Sequence, residues 1–114
     1  MPGTMETQAG HLRVRGRLDG ESARFTLEGD LDLISGQTVR DAACEALDEG
    51  AREIVLDLGG VKFLDSAGLN ALLNTARDID RRGAILRCQA PQGGEPRVVI
   101  DLAGVTKLLN LSDD

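Results

Sequence analysis

The segment Val61-Lys62-Phe63-Leu64-Asp65-Ser66-Ala67-Gly68-Leu69 sets a serine hydroxyl between an acid and two tiny residues. A short apolar run over residues 54–58 precedes it, and an amphipathic helical pattern begins near Ser66. The serine therefore stands at a strand-to-helix connection, beside the backbone N–H groups that a helix leaves unbonded in its first turn. A hydroxyl there is sterically open and suits a residue that another protein must reach. Residue types alone also allow a plainer role. Ser and Asp are favoured N-caps, and Ser66 or Asp65 could simply close the helix.

A second acidic stretch, Gly29-Asp30-Leu31-Asp32, comes after the second strand pattern. Asp30 and Asp32 can share a rim of the sheet with the Ser66 loop, with turn chemistry as the ordinary alternative. Leu31, Leu33 and Leu69 offer either apolar contact to a partner or core, and Leu69 fits the helical stripe.

Catalytic apparatus is missing around Ser66. A nucleophilic serine needs a base, and the one histidine, His11, lies at the start of the first strand pattern. Leu64 stands where a Gly-x-Ser-x-Gly elbow has its first glycine. Gly59-Gly60 and Gly93-Gly94 lack the Lys-Ser/Thr of a phosphate loop. Asp57, inside an apolar strand, is expected near the strand end, paired or hydrated. Cys44 and Cys88 form no CxxC and read as small core residues of a reducing compartment. No enzyme activity, cofactor or metal is expected.

At 114 residues the chain makes one domain, able to bury roughly two-thirds of its unfolded surface. Phe25 and Phe63 are its only aromatics, so the core is aliphatic. A net charge of −6 argues against nucleic acid and anionic membrane surfaces. No apolar run reaches the length of a membrane span, which excludes direct membrane insertion through a helix. With no signal peptide visible, a cytoplasmic protein is expected.

The elements that must position Ser66 emerge from periodicity. Residues 1–10 show no period and are expected to be a flexible tail ahead of a domain over residues 11–112. Leu12, Val14 and Leu18 alternate with arginines, and Ala23, Phe25 and Leu27 with polar residues, giving two strands of an antiparallel hairpin about Asp19-Gly20. Residues 29–34 read as a loop, with Ser35 as N-cap of a helix carrying Val39, Ala42, Ala43, Ala46 and Leu47 and stopped by Gly50. Residues 53–58 read as a central strand covered on both faces. Leu69, Leu72, Leu73, Ala76 and Ile79 make the next helical stripe, ended by Gly83. A fourth strand over 84–88, a short helix with Pro96 at its first position, and an edge strand over 108–111 complete an α/β fold. It has a small mixed sheet, an N-terminal antiparallel hairpin and packed helices.

Asp65-Ser66-Ala67-Gly68-Leu69 resembles the Asp-Ser-(Ser/Ala/Thr)-Gly-Leu signature of the STAS domain family, specifically its bacterial anti-sigma factor antagonists. Gly29-Asp30-Leu31-Asp32 is similar to that family's Gly-(Glu/Asp)-Leu-Asp element, and the order of elements agrees over nearly the whole chain. The resemblance implies a STAS-like fold in which Ser66 is phosphorylated by a partner kinase. It places Asp32 near that serine, and Asp30, Asp65, Ala67, Gly68 and Leu69 with it in the partner-binding surface. Ala67 replaces the second serine of many members and leaves the family's acceptor untouched. The implied partners are an ATP-binding anti-sigma factor that is also a serine kinase, and a metal-dependent serine phosphatase. The unphosphorylated form would bind the anti-sigma factor and free a sigma factor. The alternative within the family is a STAS adaptor subunit of a lipid-transport or stress-sensing complex that meets no kinase.

Overall fold

The computed structural model describes residues 3–113; Met1 and Pro2, part of the expected tail, lie outside it. The element order is β1 (Gly3–Ala9), β2 (Leu12–Asp19), β3 (Ser22–Leu31), α1 (Leu33–Asp48), β4 (Glu53–Leu64), α2 (Ser66–Arg81), β5 (Ile85–Gln89), α3 (Glu95–Ala103) and β6 (Leu111–Ser112). Strand order in the sheet is the same as chain order. β1, β2 and β3 pair antiparallel, and β3 to β6 pair parallel. This is the expected mixed α/β sheet. Both hairpins turn through two residues, closing on Ala9 with Leu12 and on Asp19 with Ser22. The first turn residues, Gly10 and Gly20, hold φ of 61° and 64°. Glycine at that position is what a type II′ turn requires.

Residues 3–9 are a strand where a tail was expected. The pattern there is polar on both faces except at Met5 and Ala9, so periodicity carries little signal. Pairing with β2 through every residue supplies the order.

β4 corrects two expectations. Ile54, Leu56 and Leu58 are buried against the helices together with Leu12, Val14, Phe25 and Leu27. The opposite face of the sheet is open. There Arg24 reaches Asp57 at 3.1 Å and Gln89 at 2.7 Å, Arg87 reaches Glu53 at 2.8 Å, and Arg15 reaches Glu28 at 2.6 Å. Val55 completes the apolar run on this open side, where its register neighbours Arg24 and Arg87 can shield it with their alkyl stems. The strand is thus covered on one face only. Leu56→Ala is accordingly expected to cost about 3 kcal/mol, whereas Arg87→Ala should cost under about 1 kcal/mol. Urea denaturation of both variants checks the facing.

β4 also runs on to Leu64, past the expected end at residue 58. Its pairing with β3 shifts register between Thr26 and Glu28, and again between Gly29 and Asp30. Each shift inserts an extra residue on β4 and flips the facing of the residues beyond it. Asp57 pins the first bulge by accepting the Gly59 N–H at 2.9 Å. The second, at Lys62, turns Phe63 outward and Leu64 into the core. Smaller differences are Pro96 at the second position of α3, and a last strand of two residues, Leu111–Ser112.

α1 and α2 pack side by side over the covered face. Arg40 and Asp78 bond across them at 2.5 Å, and Arg82 and Asp48 likewise at 2.5 Å. Cys88 is in the core, where burial pushes its thiol up to about 12. Cys44 is only half-buried on α1. Among the described residues no helix is long and apolar enough to cross a membrane.

Candidate functional site

Leu31 on β3 and Leu64 on β4 are register partners in a parallel pair. Each is followed by an aspartate that caps a helix: Asp32 for α1 and Asp65 for α2. Two helix N-termini therefore start beside each other at the carboxyl ends of adjacent strands, the side on which open α/β sheets present their sites. Glycines permit the approach. A Cβ on Gly68 would overlap the Leu31 carbonyl oxygen and stand 2.7 Å from its carbon, and a Cβ on Gly36 would stand 2.5 Å from that of Ala71.

Asp65 Oδ1 accepts the Gly68 N–H at 2.7 Å. Asp65 thus supplies the cap, and Ser66 occupies the first helical position with its side chain exposed. Of the two readings that residue types left open, the N-cap role falls to Asp65 and leaves the Ser66 hydroxyl outside it.

Asp32, and not Ser35, is the N-cap of α1. Asp32 Oδ1 accepts the Ser35 N–H at 3.0 Å, and Ser35 Oγ accepts the Asp32 N–H at 2.9 Å. The Ser35 hydroxyl also lies 3.0 Å from the Asp30 carbonyl. A serine at the third helical position thus closes a reciprocal capping box usually closed by Glu or Gln. The Ser35 backbone N–H, then its hydroxyl, holds the Asp32 carboxyl below its ordinary range, with the Ile34 N–H and the His11 charge adding to the effect. A depressed carboxylate contributes stability above its unfolded value, about 3.9, and loses it as pH falls through the folded value. Asp32→Ala is expected to cost about 1 kcal/mol near neutrality. The gap between variant and parent should shrink below about pH 4, which thermal melts across pH will read.

Asp30 is the register partner of Phe63, and its N–H donates to the His11 carbonyl at 3.0 Å. The rim thus gathers Asp30, Asp32, Asp65, Ser66 and the half-buried Ala67. Gly68 and Leu69 point the other way: Gly68 is buried against β3, and Leu69 packs on the core. Gly68 matters here for how closely α2 can approach β3. Among the described residues no three His, Cys, Asp or Glu side chains converge as metal ligands, so the three aspartates do not make a cation site.

Sequence reasoning missed part of this surface. Ile34 is 70% exposed and Phe63 is 47% exposed; Leu33, already a candidate contact, is 55% exposed. Leu31 is core. Counting back from Val39 in helical steps reaches Ser35 and Gly36 and skips Ile34, so that exposure was legible. Phe63 was hidden by the bulge. The turn at His11 buttresses Asp30 through its backbone carbonyl. Cavities of about 320 Å³ beside β1–β3 and about 440 Å³ beside α2 and β5 take no lining residue from this rim. What the rim offers is an exposed hydroxyl, flanking carboxylates and three exposed apolar side chains, a composition suited to a protein partner.

The family model described as "Mlab, STAS domain" matches residues 14–109. The anti-sigma-F factor antagonist RsfB of Mycobacterium tuberculosis is 30% identical over 92 residues, covering 78% of this chain and 71% of that protein. An anti-sigma factor antagonist from Mycobacterium paratuberculosis superposes with a TM-score of 0.71 at 20% identity, covering 100% of this chain and 87% of that one. The Bacillus cell fate determinant SpoIIAA, in its phosphorylated form, superposes with a TM-score of 0.63 at 16% identity, covering 98% of this chain and 93% of that one. With most of its length matched and the fold shared, the chain belongs to the STAS domain family.

Proposed function

We propose that the protein is an anti-sigma factor antagonist that acts as a phosphorylation-controlled partner switch. The observation that carries this reading is the exposed Ser66 hydroxyl at the first position of α2, with Asp65 doing the capping. A relative that covers most of the chain is an anti-sigma-F factor antagonist. In the unphosphorylated state the rim of Leu33, Ile34, Phe63 and Asp32 binds an anti-sigma factor and so frees a sigma factor. That partner is also a serine kinase. It transfers the terminal phosphoryl group of ATP to Ser66 Oγ, releasing ADP and taking the hydroxyl proton. The bound state is then disfavoured, and a metal-dependent serine phosphatase resets the switch. In this scheme the protein is ligand and substrate in the cytoplasm, and the catalytic work belongs to its partners.

A pull-down from native cell extract with Ser66→Ala and Ser66→Glu baits tests the reading. It is supported if the Ala bait retains an ATP-binding anti-sigma kinase that the Glu bait loses. A second reading, a STAS adaptor subunit of a lipid-transport or stress-sensing complex, draws on the same exposed apolar rim, which can hold a partner without modification. Both baits retaining one transport or scaffold partner and no kinase would replace the switch with the adaptor.

A further inference from the structure

The two edges of the sheet are finished differently. On the β5 side, the Cys88 N–H bonds the Asn110 carbonyl at 3.4 Å, the Ala90 N–H bonds the Ser112 carbonyl at 2.9 Å, and Asn110 Nδ2 donates to the Leu86 carbonyl at 3.1 Å. On the other side β1 is the last strand, paired residue for residue with β2 and free of bulges. Among the described residues nothing bonds its far side. Proteins blunt such edges with lysine, proline, bulges or short strands, and Gly3–Ala9 carries only Glu6.

The hairpin sets the phase of the free groups. Its closing pair, Ala9 with Leu12, exchanges both backbone bonds, and so do Thr7, Met5 and Gly3 in turn. The N–H and C=O groups of Thr4, Glu6 and Gln8 therefore point away from β2. We propose that this edge pairs antiparallel with the same edge of a second copy, about a two-fold axis at Thr7, joining two sheets into one.

Exclusion sets the register. Centring on Glu6 would set two glutamates face to face. Centring on Met5 would set Gln8 past Gly3, the first residue of β1, and leave its outward groups off the ladder. Centring on Thr7 sets Glu6 opposite Gln8 of the second copy at both ends and brings Thr4 opposite Gly10. Charge favours this corner over the rest of the surface. A net −6 keeps copies apart, but Glu6 lies 3.5 Å from Arg13 and opposite Arg15, which nearly neutralises the edge. On the helix side Met5 is 39% exposed, over a groove lined by Leu18, Phe25, Ala42 and Ala46. The second hairpin would cover it. Because the β5 edge is closed, pairing stops at a dimer and does not propagate as a filament.

Sedimentation velocity of the full chain over a range of concentrations should show a reversible monomer–dimer equilibrium. Gln8→Lys places two new opposite-charge pairs with Glu6 across the axis and should tighten the dimer about five-fold, while Gln8→Glu should weaken it about five-fold, both effects fading in salt. Within one copy residue 8 faces Arg13, so an effect on fold stability would run in the opposite order. Glu6→Pro removes an outward N–H without touching the β2 ladder and should abolish the dimer, with circular dichroism confirming that the variant is folded. A chain that stays monomeric at every concentration, or a dimer indifferent to both Gln8 changes, overturns the proposal.

Discussion

Phosphorylating Ser66 is expected to weaken the complex with the anti-sigma factor about 100-fold, or about 2.7 kcal/mol. The modification brings about −1.5 to −2 charges and three strong acceptors to the first position of α2. Within the free protein that charge is tolerated. The N–H groups of Ser66 and Ala67 have no helical carbonyl to bond, and the positive end of the helix dipole favours an anion by about 0.3–1 kcal/mol. The cost falls on the complex. Asp30, Asp32 and Asp65 already make the rim acidic, and the exposed Leu33, Ile34 and Phe63 require a partner surface that excludes water. A phosphate trapped there is desolvated among carboxylates, and one uncompensated buried charge is worth about 3–5 kcal/mol. Calorimetric titration of the phosphorylated protein and of Ser66→Ala against the purified partner measures the difference. The melting temperature of the free protein should change little between the two forms. Equal affinities would remove phosphorylation as the switch, while a parallel loss of stability would mean that the phosphate acts by unfolding α2.

Much of this fold was legible because the sheet buries one face. The alternation Leu12, Val14, Ala23, Phe25, Leu27 marks two strands, and the Leu69, Leu72, Ala76, Ile79 stripe marks α2. Legibility failed where a local device changes the period. Two bulges on β4 break the inward–outward rhythm after Leu58, which is why residues 59–64 read as a connection and Phe63 carries no signal. Ser35 reads as a cap because serine favours that place. Asp32 fills the position three residues earlier, and the local capping box between the two went unread because serine stands where Glu or Gln usually closes it. The apolar run of β4 suggests two covered faces, yet Val55 lies where arginine stems can do the covering. β1 is silent in the pattern because an edge strand of mixed polarity is ordered by its ladder with β2 and carries no hydrophobic stripe. At the site the motif named Ser66, Asp65 and Asp32, and the fold sets these three at neighbouring helix N-termini. Assigning the cap to Asp65 and turning Phe63 outward both depend on the folded backbone.

Gly68→Ala is expected to cost about 3 kcal/mol and, by displacing α2 from β3, to abolish partner binding with it. The added methyl would overlap the Leu31 carbonyl oxygen, and the obstruction is backbone, so no side-chain rotamer relieves it. Relief requires α2 to move, which pulls Asp65 and Ser66 away from Asp32. Gly36→Ala provides the comparison, since its methyl would meet another methyl, that of Ala71, at 2.5 Å. That clash is compensable. Adding Ala71→Gly should recover most of the loss, apart from about 1 kcal/mol for a glycine inside a helix. Removal of the Ala71 methyl should leave Gly68→Ala unrepaired, because the oxygen it strikes belongs to the main chain. Urea denaturation of the two single variants and the two double variants reads this directly. Recovery of both doubles would mean that α2 slides freely on β3, and the rim would then owe its geometry to something other than the Gly68 contact. Recovery of the Gly36 pair alone fixes the two N-termini as one rigid unit, in which the motif glycine sets where Ser66 stands relative to Asp32.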